Sequence, residues 1–250
     1  MEKERINKYI ASCSEVSRRQ ADKLIEDGKV KVNGKVVTKP GISVSDKDKI
    51  EVDGNVLSKQ KKQYYLFHKP AGYITTKSDE KNRKTIYDLL PEKMKSLNPA
   101  GRLDKASSGL IILTNDGELL QKLTHPKIQV SRVYKVKVKG KFSDGDFYKF
   151  QNGIEIEPNK IAYGEIELLD FDNGTSTFQI TLYQGYNRQI RKMMAELGKE
   201  VVALKRISHA TLSIAGLEKG KFRPVKQTEL RNLSIYLNKK INALKKKTNK

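Results

Sequence analysis

Gly101-Arg-Leu-Asp104-Lys-Ala-Ser-Ser-Gly109-Leu-Ile-Ile-Leu113-Thr-Asn-Asp-Gly117 contains both the most apolar run of its neighbourhood and a carboxylate set just ahead of it. Leu110 to Leu113 has the length and composition of a central strand, and Thr114-Asn115-Asp116-Gly117 ends it with turn-forming residues. Asp104 therefore occupies a Gly-bounded loop at the mouth of a buried strand. Asp is also common in turns because its side chain bonds nearby backbone, so the stretch by itself leaves a turn residue and a catalytic acid both open.

Outward from this stretch, two further segments stand out. Arg132-Val-Tyr134-Lys-Val-Lys-Val138 alternates with period two, which predicts a strand with Tyr134, Val136 and Val138 on one face and basic residues on the other. A core or interface aromatic is the commoner fate of such a tyrosine. Gly185-Tyr-Asn187-Arg188-Gln-Ile190-Arg191-Lys-Met-Met194 opens a helix, with Asn187 expected as its N-cap and Ile190, Met194 and Leu197 as its apolar stripe. Arg188 and Arg191 stand one turn apart, a spacing equally compatible with a solvated face.

The chain has 250 residues, with 50 Lys and Arg against 29 Asp and Glu, a formal charge of +21. Such an excess points to a polyanionic partner. The charge is uneven: Lys239 to Lys250 carries six lysines and no acid. Cys13 is the only cysteine, and His68, His125 and His209 are scattered, so no disulfide framework or metal motif is expected. No apolar run reaches the ~18 residues of a membrane span, and Met1-Glu-Lys-Glu-Arg does not begin a signal peptide. A cytoplasmic monomer with no membrane or DNA partner is the expectation.

The first sixty residues form their own pattern. Ile6, Tyr9 and Ile10 mark a short helix; Ser17-Arg18-Arg19-Gln20 fits a capping box opening a second, which Gly28 ends. Strands are expected at 30–32, 35–37 and 49–52, with Asn33-Gly34 as a hairpin turn. Arg18, Arg19 and Lys23 surround a helix N-terminus, a favourable place for phosphate. Residues 55–63 read as a charged linker. Beyond it, strands are expected near 64–67, 109–114, 132–139, 161–170, 175–183 and 201–214, and helices near 84–90, 117–124, 144–151 and 187–197. Strands and helices without regular alternation argue for an α+β fold on a mixed, largely antiparallel sheet. The lysine-rich end reads as disordered.

The N-terminal segment, about residues 3–55, resembles the alpha-L RNA-binding module of a small-subunit ribosomal protein. The three motifs around Asp104, Tyr134 and Arg191, in this order, resemble those of the RNA pseudouridine synthases, most closely the RsuA/RluB-type branch, which carries the same N-terminal module. The resemblance covers about residues 3–235. It implies an alpha-L RNA-binding domain at 1–58, a synthase domain at 59–236 and a basic disordered tail at 237–250.

The resemblance also implies roles. Asp104 would be the catalytic carboxylate, Tyr134 would lie against the target base, and Arg191 would pair with Asp104 and keep it ionised. Arg102, Asn187, Arg188 and Ile190 would bind substrate, while Arg5, Ser17, Arg18, Arg19 and Lys23 would contact RNA. Departures from the family pattern are small: Arg132 stands where lysine is common, Gln184 and Tyr186 flank Gly185, and Ile111 and Ile112 replace leucines. The implied reaction isomerises a uridine of ribosomal RNA, with the large subunit weakly favoured and free RNA or an assembly intermediate as partner. Its atoms balance, so no cofactor or metal is expected. Asp104 would act as nucleophile or as general base, and the sequence does not choose. The rival from another class is a non-catalytic RNA-binding or ribosome-assembly protein.

Overall fold

A computed structural model describes residues 3–248. The chain divides into two compact units, Met1–Lys62 with Asn115–Gly117, and Gln63–Thr114 with Glu118–Lys250. The division at 62/63 lies four residues beyond the expected boundary.

In the first unit, β1 (Glu4–Arg5) leads into α1 (Ile6–Cys13), followed by α2 (Arg18–Glu26), β2 (Val30–Val32), β3 (Lys35–Val37), β4 (Ser43–Val44), β5 (Ile50–Val52) and β6 (Asn55–Val56). The Ser17 hydroxyl accepts from the Gln20 amide and the Gln20 side chain accepts from the Ser17 amide, so the capping box is formed. Gly28 ends the helix at φ +69°, and Asn33 and Gly34 both take positive φ in the β2–β3 turn. Ile6, Ile10, Ala21, Ile25, Val30 and Ile50 make a small closed core. Part of the expected linker is strand, because Val52 and Asn55 pair across the Asp53-Gly54 turn.

The second unit is built on β7 (Tyr64–Lys69), β8 (Asn98–Pro99), β9 (Ser108–Thr114), β10 (Arg132–Lys139), β11 (Ile154–Glu157), β12 (Lys160–Ala162), β13 (Glu165–Asp172), β14 (Thr175–Leu182), β15 (Val201–His209), β16 (Leu212–Ser213) and β17 (Phe222–Pro224). Its helices are α3 (Gly117–Thr124), α4 (Asp144–Asn152), α5 (Gln189–Glu196) and α6 (Gln227–Thr248). The main sheet runs β13-β14-β10-β15-β9-β7-β17, with β15 and β9 parallel and its other neighbours antiparallel. Ile111 and Leu113 face one core while Leu110 and Ile112 face the other, so β9 is covered on both sides and has no polar face to show.

The parallel contact is unusually close. Gly109 takes φ +120°, and a Cβ there would lie 2.3 Å from the Arg206 carbonyl oxygen, so only glycine lets the start of β9 meet β15.

Several expectations change. The expected strand at 201–214 is a hairpin, turned at Ala210 (φ +53°). The strand at 161–170 breaks after Ala162, and the helix at 84–90 is a 3-10 turn, Ile86–Leu89, capped by Thr85. The largest correction concerns the basic end. The disordered tail expected at 237–250 is helical through Thr248, continuous across residue 237. Leu230, Leu233 and Leu237 recur at helical spacing and pack into the second core, a stripe that the lysine content hides. Residues 249–250 lie outside the described part.

Candidate active site

The loop from Gly101 to Ser107 joins β8 to β9 and is held from beneath by one buried cation. Lys69, at the end of β7, is 0% exposed. Its ammonium donates to the backbone carbonyls of Ser107 (2.6 Å), Asp104 (3.0 Å) and Pro70 (3.1 Å). Burial pushes the Lys69 pKa down to about 8, against the opposing pull of the Asp104 charge. The Thr75 hydroxyl donates to the Leu103 carbonyl at 2.9 Å and accepts from the Leu103 amide at 3.2 Å, and the Gly72 amide donates to the Lys105 carbonyl at 2.7 Å. Asp104 is thus fixed through its main chain on both sides, and its half-buried side chain stands in a cleft of about 950 Å³.

Tyr134 reaches the same cleft from β10, with only 8% of its surface exposed. On the sequence pattern it shares its face with buried Val136 and Val138. Leu182, at the end of β14, stands opposite Arg132 in the sheet, so the loop beyond it, Tyr183 to Arg188, runs along the cleft.

That loop is organised by an amide the sequence reading passed over. Gln189 is 3% exposed; its side-chain oxygen accepts from the Tyr186 amide at 3.2 Å. Its side-chain nitrogen donates to the Tyr163 carbonyl at 3.2 Å and to Gln184 at 3.3 Å. The N-cap position of α5 is Arg188, in the left-handed region at φ +51° with no side-chain cap, and not Asn187. The Gln189 side chain therefore fixes the loop ahead of the helix, at Tyr186, and leaves the first-turn amides without a side-chain cap.

Arg191 lies one turn into α5. Its guanidinium donates to the carbonyls of Val201 (3.3 Å) and Ala106 (3.4 Å), which ties the helix to β15 and to the Asp104 loop. Burial lowers its pKa, the nearby Arg188 adds to this, and the Asp104 charge opposes it. The expected Arg191–Asp104 ion pair is not among the salt bridges of the described residues. The Asp104 charge is felt at the arginine, whose hydrogen bonds go to backbone carbonyls.

Asp104, Tyr134 and Arg191 therefore line one cleft, together with Arg102, Asn187, Arg188 and Ile190. Arg102, Asn187 and Arg188 are exposed there, whereas Ile190 is buried and packs into the core. Three further arginines line the cleft, of which Arg83 is paired with Asp79 at 2.6 Å. Arg206 is 2% exposed and donates to the Leu110 carbonyl at 2.7 Å, while Arg132 donates to the Leu123 carbonyl at 3.1 Å. Lys69, Thr75 and Arg206 escaped the sequence reading because each works through backbone partners, and Gln189 because its partners include the backbone of Tyr163 and Tyr186. The one available signal was a lysine ending an apolar strand just before Pro70.

In the first unit, Arg5, Arg18, Arg19 and Lys23 are exposed, which leaves their cations available to solvent. Ser17 is exposed too, but its hydroxyl is engaged by the Gln20 amide at 3.2 Å. No helix among the described residues is long and apolar enough to cross a membrane.

Chemically, the cleft offers the Asp104 carboxylate on a fixed loop, a second carboxylate, Asp79, already paired with Arg83, the rings of Tyr134, Tyr183 and Tyr186, and several guanidinium groups suited to phosphates. Comparisons agree with this content. Residues 63–196 match the RNA pseudouridylate synthase family, and residues 4–50 match the S4 domain. The chain is 42% identical over 232 residues to the ribosomal large subunit pseudouridine synthase B of Bacillus subtilis, covering 92% of this chain and 95% of that one. It is 36% identical to an uncharacterized RNA pseudouridine synthase of Aquifex aeolicus, with 92% and 93% covered. A crystal structure of a pseudouridylate synthase superposes with a TM-score of 0.67 at 29% identity, over 92% of this chain and 99% of that chain. The chain belongs to the RNA pseudouridine synthase family, with an S4 domain ahead of the synthase domain.

Proposed function

We propose that this enzyme converts a uridine of large-subunit ribosomal RNA to pseudouridine, with Asp104 as the catalytic carboxylate and no cofactor. The observation that carries the reading is the common cleft of Asp104, Tyr134 and Arg191, with the Asp104 backbone held by buried Lys69. The Bacillus subtilis relative, named for the large subunit, supports the choice of RNA.

The reaction breaks the bond between uracil N1 and ribose C1′, turns the base, and joins C5 to C1′. The C5 proton leaves and N1 gains one, so the atoms balance without any co-reactant. Asp104 initiates it either by attack on C1′ or by removing a ribose proton. Tyr134 stacks on the displaced base, returning about 1–3 kcal/mol against the few kcal/mol needed to take a base out of its stack. Arg102, Asn187 and Arg188 hold the RNA at the cleft, and Arg5, Arg18, Arg19 and Lys23 of the S4 domain contact RNA elsewhere along its length. The protein works as a cytoplasmic monomer on ribosomal RNA or on a subunit assembly intermediate.

Release of tritium from C5-labelled uridine in large-subunit ribosomal RNA tests the proposal. Wild-type protein releases it and Asp104→Asn does not. Absence of release by wild type from free RNA and from subunit precursors alike returns the protein to the class of non-catalytic RNA binders.

A further inference from the structure

The last helix carries lysines around its solvent side that no salt bridge among the described residues engages. The first half of α6 belongs to the core through Leu233 and Leu237. The Tyr236 hydroxyl lies 3.1 Å from both the amide and the hydroxyl of Ser131, the residue ahead of Arg132 in the cleft wall. One turn on, the Lys240 ammonium sits 5.2 Å from the centre of the Tyr183 ring, and Tyr183 lines the cleft. The helix is therefore pinned to the cleft rim.

Beyond Glu229 it contains no acidic residue. Lys239, Lys245 and Lys246 are exposed, and no salt bridge among the described residues engages them or Lys240. Attraction to the helix dipole accounts for cations in the last turn, where Lys245 and Lys246 lie, but it does not reach Lys239 or Lys240; Lys240 stands over the Tyr183 and Tyr236 rings, while Lys239 is exposed. Solubility does not call for them either in a chain of charge +21. A run of cations on a rigid element that begins at a cleft rim fits a polyanion leaving that cleft.

We infer that α6 is a rail for RNA: Lys239 and Lys246 on one face, flanked by Lys240 and Lys245 on either side, hold phosphodiesters of the strand that leaves the cleft past Tyr183. The inference rests on reading the cleft as the uridine site. Helical order is part of it. At ~1.5 Å of rise per residue, Lys239 and Lys246 share a face roughly 10 Å apart, a fixed spacing that a flexible tail would not supply. Contacts of this kind set the path of the strand and carry no base preference.

Two variants separate the charge from the order. Lys239→Gln, Lys240→Gln, Lys245→Gln and Lys246→Gln together keep the helix and remove the cations. Ala243→Pro keeps every cation and breaks the helix after its packed half. Binding of a large-subunit ribosomal RNA fragment is measured across salt concentrations, with KM and kcat followed by C5 tritium release and helix content by circular dichroism. The quadruple variant is expected to bind about tenfold more weakly at physiological salt and to flatten the slope of log affinity against log salt by about 2–3, at ~0.7 per phosphate of a single strand. Ala243→Pro is expected to raise KM at least about threefold, with the loss confined to KM in both.

Wild-type affinity and slope in the quadruple variant overturn the inference. So does a weakened quadruple variant beside a normal Ala243→Pro, since the lysines then act as a loose tail. Asp104→Asn, run alongside, separates the two readings: product formation by Asp104→Asn removes the cleft assignment while the binding data still judge the helix.

Discussion

The Lys69 ammonium donates to the backbone carbonyl of Asp104 across 3.0 Å, so the carboxylate is positioned by a cation that bonds its main chain and not its side chain. Two more carbonyls of the same neighbourhood, from Pro70 and Ser107, share that ammonium. A fully buried lysine with three backbone partners and a native pKa of about 8 titrates well below the ordinary value of 10.5.

Between those two pH values the unfolded chain binds more protons at this residue than the native one, so the contribution of Lys69 to stability rises with pH through that window. Deprotonation also removes one of its three donors and loosens the Asp104 loop. Turnover is therefore expected to fall above about pH 8 while this group's share of stability climbs, a divergence seen by comparing kcat with denaturation midpoints from pH 7 to 10. Lys69→Met, which has no donor, should lower kcat at neutral pH by about tenfold to a hundredfold and remove the Lys69 contribution to both trends.

Tyr134→Phe keeps the ring and is expected to bind ribosomal RNA as wild type does. Tyr134→Ala should weaken binding of the flipped uridine by about 1–3 kcal/mol. Equilibrium binding to a stem-loop carrying the target uridine distinguishes the two, and an unaffected alanine variant removes the stacking role.

Arg191→Ala severs the links to Val201 and Ala106 and takes a positive charge from beside Asp104. A loss in kcat of at least about a hundredfold on folded protein is expected. Arg191→Lys restores the charge without the two-pronged reach and should recover only part of the rate. Near-normal turnover by the alanine variant would eliminate Arg191 from the mechanism.

Gly109→Ala forces a Cβ to within 2.3 Å of the Arg206 carbonyl oxygen at a backbone φ of +120°. Separation of β9 from β15 is the expected result, with a stability loss above about 3 kcal/mol in urea denaturation. A variant as stable as wild type would show that the two strands can part without consequence.

The elements legible in sequence were those whose signal is local. Leu110–Leu113 read as a central strand because an unbroken apolar run has no other comfortable place. Ser17–Gln20 read as a helix start because its capping partners are three residues apart. The Asp104, Tyr134 and Arg191 stretches were found as motifs, and the fold brings them to one cleft. What escaped depended on distant partners. Lys69 matters for carbonyls 35 and 38 residues away, and Gln189 is tied to Tyr163, 26 residues earlier. α6 was missed for another reason: six lysines outweighed a leucine stripe that becomes meaningful only when a sheet face is there to receive it.

Strand β9 is hydrogen-bonded on one flank by β7 and meets β15 on the other at Ser108 and Gly109, beside the loop that carries Asp104. Amide protons of Leu110 to Leu113 should accordingly be among the last in the molecule to exchange with solvent, opening only when the whole unit unfolds. An acid anchored so near that strand has little freedom to search for its target. The substrate has to do the moving, and uridines differ in how readily they do so: one in a loop or beside a mismatch swings out at lower cost than one stacked in a perfect duplex. With Asp104 as the proposed catalytic acid, the stiffness of the protein would turn the suppleness of the RNA into a criterion of choice.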